Sequence, residues 1–277
     1  MSDETILVTG ATGKTGRRVA RLLRGRGVAV RDASRSGTPS FDWTDRGTWE
    51  PALRGVTGMY LVVPDLGGPQ AAETIAAFAR QAAAAGARRA VLLSVPEGGA
   101  DQEHVLAAER ALEHAGLDWT VLRPRWFFQN FSEDFLLDPV LSGEVRLPAG
   151  EGREAFVDAE DIAEAAVAVL TEDGHAGWHY ELSGPRLMTF RDAVEEIARA
   201  TGRDIRYVPL PPEAYADEQR AQGVPEKWVQ LSVDLYAYVR DGGLATLSDG
   251  VQRSLGREPR DFSDYAEAAA RQGVWNA

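Results

Sequence analysis

Three glycines spaced three apart, Gly10, Gly13 and Gly16, follow the β-favouring run at residues 5–9 and open a helical pattern that continues through Arg17 and Arg18. A strand, a tight turn and a helix start in that order constrain this chain more than any other stretch. Gly10 lets the backbone turn, Gly13 lets it approach a pyrophosphate, and Gly16 lets the helix pack close on the sheet. The first N–H groups of such a helix have no acceptor in the chain, and they face an anion at the positive end of the helix dipole. The motif therefore predicts a dinucleotide site, with Gly10, Thr12, Gly13, Lys14, Thr15 and Gly16 as its cradle.

The rest of the chain supplies the fold that such a cradle needs. Strand-like runs at 28–33, 41–43, 58–63, 90–93, 119–122 and 178–183 alternate with helical patterns at 45–53, 70–85, 101–114 and from Asp158 onward. Asp101 is the expected cap of the third of these helices, and Asp158 and Asp161 read as helix-start residues. The alternation predicts an α/β chain, a Rossmann-type doubly wound parallel sheet. Thr189 is expected to cap a helix running to Ala200, and two or three more helices follow Pro209 without βαβ rhythm. Residues 1–182 are thus read as an NAD(P)-binding domain and residues 183–277 as a smaller, mostly helical substrate lobe, with 126–150 contributing to the pocket.

The loop after the second strand of a Rossmann fold meets the adenosine ribose, where an arginine accommodates a 2′-phosphate. Ser34 and Arg35 occupy it and favour NADP; Asp32, the competing acidic signal, falls inside the strand. A solvated loop arginine is the plainer reading of Arg35.

Composition closes off other chemistries. The 277 residues contain no cysteine, and His104, His114, His175 and His179 show no metal-ligand spacing, so thiolate and metal sites are not expected. A net charge of −12 argues against a nucleic-acid surface. No apolar run approaches a membrane span, and the first residues do not read as a signal peptide. A cytoplasmic monomer or homodimer is expected.

After Pro124, four aromatic residues crowd together: Trp126, Phe127, Phe128 and Phe131, with Gln129 and Asn130 between them. They follow a strand's carboxyl end, where open α/β sheets bind ligands. Flat aromatics beside amides suit a planar substrate, although core packing accounts for one or two of them.

These stretches carry a resemblance. Residues 6–16, 122–133 and 156–163, with Gly184-Pro185, Thr189-Phe190, Gly202-Arg203 and 223–225, are similar to atypical short-chain dehydrogenase/reductases of the NmrA-like group. Within that group the chain resembles ergot-alkaloid-type (agroclavine and festuclavine) dehydrogenases and NAD(P)H:quinone or azo reductases. The resemblance implies NADPH over the sheet, lined by Thr12 to Gly16, Ser34, Arg35, Val63, Pro64, Ser94 and Pro124, and Asp42 is placed with that set. Trp126, Phe127, Asn130 and Tyr180 are the expected substrate contacts.

One departure matters for mechanism. Most short-chain dehydrogenases use a Tyr-x-x-x-Lys pair as proton donor. Here Lys14 and Lys227 are the only lysines, and none of the seven tyrosines has a lysine four residues later. Where some relatives keep a lysine on the helix after strand five, this chain has Ala107-Ala108-Glu109. Hydride addition to an ordinary ketone develops an alkoxide that needs an acid or an oxyanion hole. An iminium carbon loses charge instead, and a quinone yields a stabilised phenolate. The expected substrate is therefore a small planar conjugated electrophile, with His104 and Glu109 the candidate proton relays. A dinucleotide sensor without turnover and a non-redox cyclase or isomerase are the rival readings.

Overall fold

In the computed structural model, residues 4–98 and 102–276 are described; the expected cap Asp101 lies outside them. Six parallel strands, β1 (Thr5–Thr9), β2 (Ala29–Ala33), β3 (Gly58–Leu61), β4 (Arg89–Leu93), β5 (Asp118–Pro124) and one later strand, Trp178–Leu182, form the main sheet. Its order runs from β2 through β1, β3, β4 and β5 to the 178–182 strand. The chain thus leaves β1 to one side and returns to its other side at β3. That reversal opens a crevice at the strands' carboxyl ends.

Alternation along each strand sends side chains to two different cores. Leu7, Met59, Leu61, Ala90, Leu92 and Val121 pack on one face. Against them lie α2 (Trp49–Leu53), α3 (Ala71–Ala84) and α4 (Gln102–Glu113). Ile6, Val8, Tyr60, Val91 and Leu122 pack on the other face, against α1 (Gly16–Gly25). Both faces are dry, which is why these strands read as continuous apolar runs. Each fully buried Leu or Val contributes roughly 1.5–3 kcal/mol to holding the layers together.

A third core builds the lobe. Short helices α5 (Asn130–Glu133) and α6 (Leu137–Ser142) lead into β6 (Glu144–Leu147) and β7 (Arg153–Glu154). Helix α7 (Ala159–Thr171), capped by the Asp158 side chain as expected, then covers the main sheet before its last strand, β8 (Trp178–Leu182). The chain next forms β9 (Met188–Thr189), α8 (Phe190–Thr201) and β10 (Arg206–Pro209). Parallel pairing of β10 with β6 and antiparallel pairing of β7 with β9 tie the two segments together. Phe128, Phe131, Phe156, Phe190, Phe262 and Trp275 fill the core between them. The Thr189 cap is present as a full capping box with Asp192.

Four features differ from the sequence reading. Residues 41–43 are no sheet strand: Asp42 makes one bridge with Asp45, because its carboxylate caps Thr44 and turns the chain. Among the described residues four helices, not two or three, follow Pro209: α9 (Pro212–Ala221), α10 (Glu226–Arg240), α11 (Gly250–Leu255) and α12 (Phe262–Arg271). The small β6–β10 sheet inside the lobe was not expected. Arg18, which helical spacing in the sequence places largely toward solvent with Arg17, Arg21 and Arg24, is instead largely buried and paired with Glu133 and Glu160.

The C-terminal segment also returns to the main sheet. Helix α11 packs on α7 and β8. Just beyond it, Arg257 donates to buried Asp161 at 2.6 Å and the Arg260 backbone N–H donates to the same carboxylate at 2.7 Å. No helix among the described residues is long and apolar enough to cross a membrane.

Candidate functional site

The cradle is made of backbone. Gly10 sits at φ +61°, and a Cβ there would come within 3.1 Å of the Val62 Cβ. Next to it, the Thr9 hydroxyl accepts from the Val62 N–H at 2.6 Å and lies 3.2 Å from the Tyr60 carbonyl. That zips β1 to the end of β3 at the crevice. A Cβ on Gly16 would collide with the Gly10 carbonyl, so only glycine lets α1 start this close to the turn. Thr15 gives the helix no side-chain cap, and its first turn holds no acidic residue. An uncapped positive helix end above a closed backbone turn suits a pyrophosphate.

At the ribose side, Asp32 pairs with Arg24 on α1 at 2.7 Å, which keeps it within the strand as read. Arg35 is exposed in the loop beyond. Asp42 accepts from the Thr44 N–H and hydroxyl, both at 2.8 Å, and these bonds, with a smaller contribution from Arg35, lower its carboxyl below the usual range. Ser34 and Val63 are half-buried and Pro64 is exposed. Trp43, which the sequence reading passed over, donates its indole N–H to the Val62 carbonyl at 3.0 Å.

A cavity of about 650 Å³ opens beside the cradle. Lys14, Ser94 and Pro124 line it from the main sheet, with Trp126, Phe127 and Asn130 from the segment after β5. Across from them stand Phe135 and, on α10, Leu231, Leu235 and Tyr238. The aromatic run divides: Trp126 and Phe127 face the cavity, whereas Phe128 and Phe131 are buried in the lobe core. Lys14 pairs with Asp134 and holds its ammonium 5.9 Å from the Phe127 ring centre.

Behind the cavity the polar groups split into two sets. Ser94 donates to Glu109, which also takes Arg123 Nε at 3.0 Å, and Arg123 reaches Glu97 and, at 3.2 Å, Glu181. Glu109 is thus occupied in an ion pair and stands behind Ser94 rather than at the cavity surface. Arg125, two residues on, lines the cavity at 8 % exposure. It donates to the Thr246 hydroxyl at 2.7 Å, its Nε has no partner, and it makes no ion pair among the described residues. Glu154 is wholly buried, with one oxygen accepting from the Ala155 N–H at 2.8 Å and the other unpartnered. Burial pushes its carboxyl up to about 8, against the opposing pull of Arg125 and the Ala155 N–H.

Two expected residues lie elsewhere. Tyr180 is 4 % exposed, its hydroxyl 2.9 Å from His175 Nδ1, in the core under α7 and α11. Its neighbour Glu181 points toward Arg123, and strand alternation sends Tyr180 to the opposite face. His104 is exposed on α4 and does not line the cavity. Sequence reasoning missed Arg125, Glu154, Phe135 and the α10 wall. The spacing of Leu231, Leu235 and Tyr238 was the available signal, since it puts all three on one helix face.

Comparison with known proteins places the chain in a family. The NAD(P)H-binding family model matches residues 10–173. The oxidoreductase YesF of Bacillus subtilis is 34% identical, covering 100% of this chain and 98% of its own length. Agroclavine dehydrogenase of Claviceps fusiformis is 31% identical over 98% of both chains. Among solved structures, Citrobacter sp. triphenylmethane reductase complexed with NADP(H) superposes with a TM-score of 0.75, at 23% identity, over 96% of this chain and 99% of that one.

Proposed function

Because the chain belongs to the NAD(P)H-binding family and is an NAD(P)H-dependent oxidoreductase, we propose that it reduces a planar conjugated electrophile, a cyclic iminium or a quinone-like intermediate, in the cavity beside the Gly10–Gly16 cradle. The observation that carries this reading is the cavity wall itself. It is largely aromatic and aliphatic, and it adjoins a chain in which no tyrosine is followed four residues later by lysine. A bound reduced nicotinamide supplies hydride. The protein's part is to cradle the pyrophosphate on α1, to exclude water with Trp126, Phe127, Leu231 and Leu235, and to orient the acceptor flat. NADP is favoured over NAD by Arg35, which is exposed and without an ion pair among the described residues. Similarity to agroclavine dehydrogenase supports a place in secondary metabolism.

Following NADPH absorbance with a panel of quinones, cyclic iminium ions and simple ketones tests the proposal. Turnover of the first two classes and not of ketones is the expected result. Dinucleotide binding without any turnover would instead favour a sensor, and product formation without dinucleotide a non-redox enzyme.

A further inference from the structure

Arg123 and Arg125 lie two residues apart at the same strand end, and both are more than nine-tenths buried. Arg123 is surrounded by Glu97, Glu109 and Glu181. Among the described residues Arg125 has the neutral Thr246 hydroxyl as its side-chain hydrogen-bond partner, an unpartnered Nε and no carboxylate at ion-pair distance, yet it lines the cavity. A buried guanidinium that no carboxylate contacts is held only by longer-range attraction, so a fold that keeps one at a ligand cavity has left room for an anion. The nearby acids act on it from beyond ion-pair distance: Glu181 is paired with Arg123 and Glu154 is buried with one oxygen unpartnered, and both feel the Arg125 charge, while Asp134 takes Lys14 and Asp234 accepts from Gln230 at 2.8 Å.

We propose that Arg125 is the specificity-determining residue of the acceptor site: its guanidinium receives the oxygen of the acceptor, so that conjugated carbonyl compounds are preferred over cationic iminium ions. This rests on the reductase reading above and chooses between its two acceptor classes. The electron balance places the charge where the guanidinium is. As a carbon of the conjugated acceptor gains a hydride from the reduced dinucleotide, the electron pair of the double bond settles on the carbonyl oxygen as enolate or phenolate. Water then delivers the proton. A charge-assisted hydrogen bond to that oxygen strengthens as the negative charge develops, whereas an iminium cation meets a like charge at the same place.

The test uses lawsone, a hydroxynaphthoquinone that is anionic at neutral pH, and menadione, a neutral naphthoquinone of similar shape. Their dissociation constants are measured by fluorescence quenching on the dinucleotide-free protein. Wild type is expected to bind lawsone about ten-fold or more tighter than menadione, and Arg125→Gln to abolish most of that difference. Arg125→Lys, which keeps the charge, is expected to stay within about three-fold of wild type for lawsone. In turnover, Arg125→Gln shifts the ratio of kcat/KM for menadione over that for N-methyldihydroisoquinolinium by about ten-fold toward the cation. Equal binding of lawsone and menadione by wild type overturns the proposal without any variant. A parallel loss of NADPH affinity in Arg125→Gln also overturns it, by assigning the residue to the dinucleotide. Absence of turnover with every acceptor sinks the reductase reading alone, because the lawsone constants still test Arg125.

Discussion

The cradle at the end of β1 and the cavity wall beside it are built in opposite ways. The cradle is mostly backbone: its shape is set by Gly10 and Gly16, where a side chain would clash, and the Thr9 hydroxyl ties it to the Val62 backbone. The wall is side chain, assembled from segments about a hundred residues apart in sequence, at Trp126–Phe135 and on α10. It leaves Phe135, Leu231 and Leu235 more than a third exposed. Recognition by backbone ties a region to one ligand geometry. Recognition by loosely covered side chains lets acceptors differ while the dinucleotide stays the same.

The contrast is broken or sharpened most strongly at Gly16. Gly16→Ala forces a methyl into the Gly10 carbonyl, and it is expected to cost up to about 3 kcal/mol of dinucleotide binding, close to a hundred-fold in Kd. Near-normal NADPH titration of this variant would remove the backbone account of the cradle. Arg35→Ala is the side-chain counterpart, expected to weaken NADPH by about 2 kcal/mol and to leave NADH unchanged. Parallel titrations of the two nucleotides decide it.

On the wall side, Glu154 ties stability to pH. Its folded-state carboxyl titrates near 8 against 4.5 when free, so the native state holds the extra proton between those values. Stability is therefore greatest below the lower value and is lost as pH rises toward 8, by about 1.4 kcal/mol per unit. Glu154→Gln is expected to remove that slope between pH 6 and 7 in urea titrations; an unchanged slope would show that Glu154 does not ionise as described. Phe127→Ala should raise KM for planar acceptors several-fold, about 1 kcal/mol, with NADPH affinity within two-fold. Leu235→Ser on the exposed rim is the mildest, expected to move stability by no more than about 0.5 kcal/mol and to leave unfolding midpoints nearly unchanged.

The same contrast explains what could be read from the chain alone. The glycine spacing, the βαβ rhythm and the Thr189 cap are local patterns, and the structure has them where they were expected. Phe41–Trp43 misled because its β-favouring residues say nothing of the Asp42 carboxylate that turns the chain back at Thr44. Tyr180 misled because the face it takes depends on which neighbour β8 finds in the sheet, a tertiary fact. Arg125 was invisible for a related reason. Arginine beside proline in an aromatic run reads as any surface arginine until burial and the lack of an ion-pair partner are known.

The anchoring of Arg257 and Arg260 on Asp161 has a practical corollary. The polypeptide crosses into the lobe after β5, comes back for α7 and β8, departs again, is stapled to α7 at Arg257 and Arg260, and returns to the lobe core with α12. No single scission can therefore release either half intact. Fragments cut between α10 and α11 are expected to be insoluble apart and to regain a folded complex only when produced together.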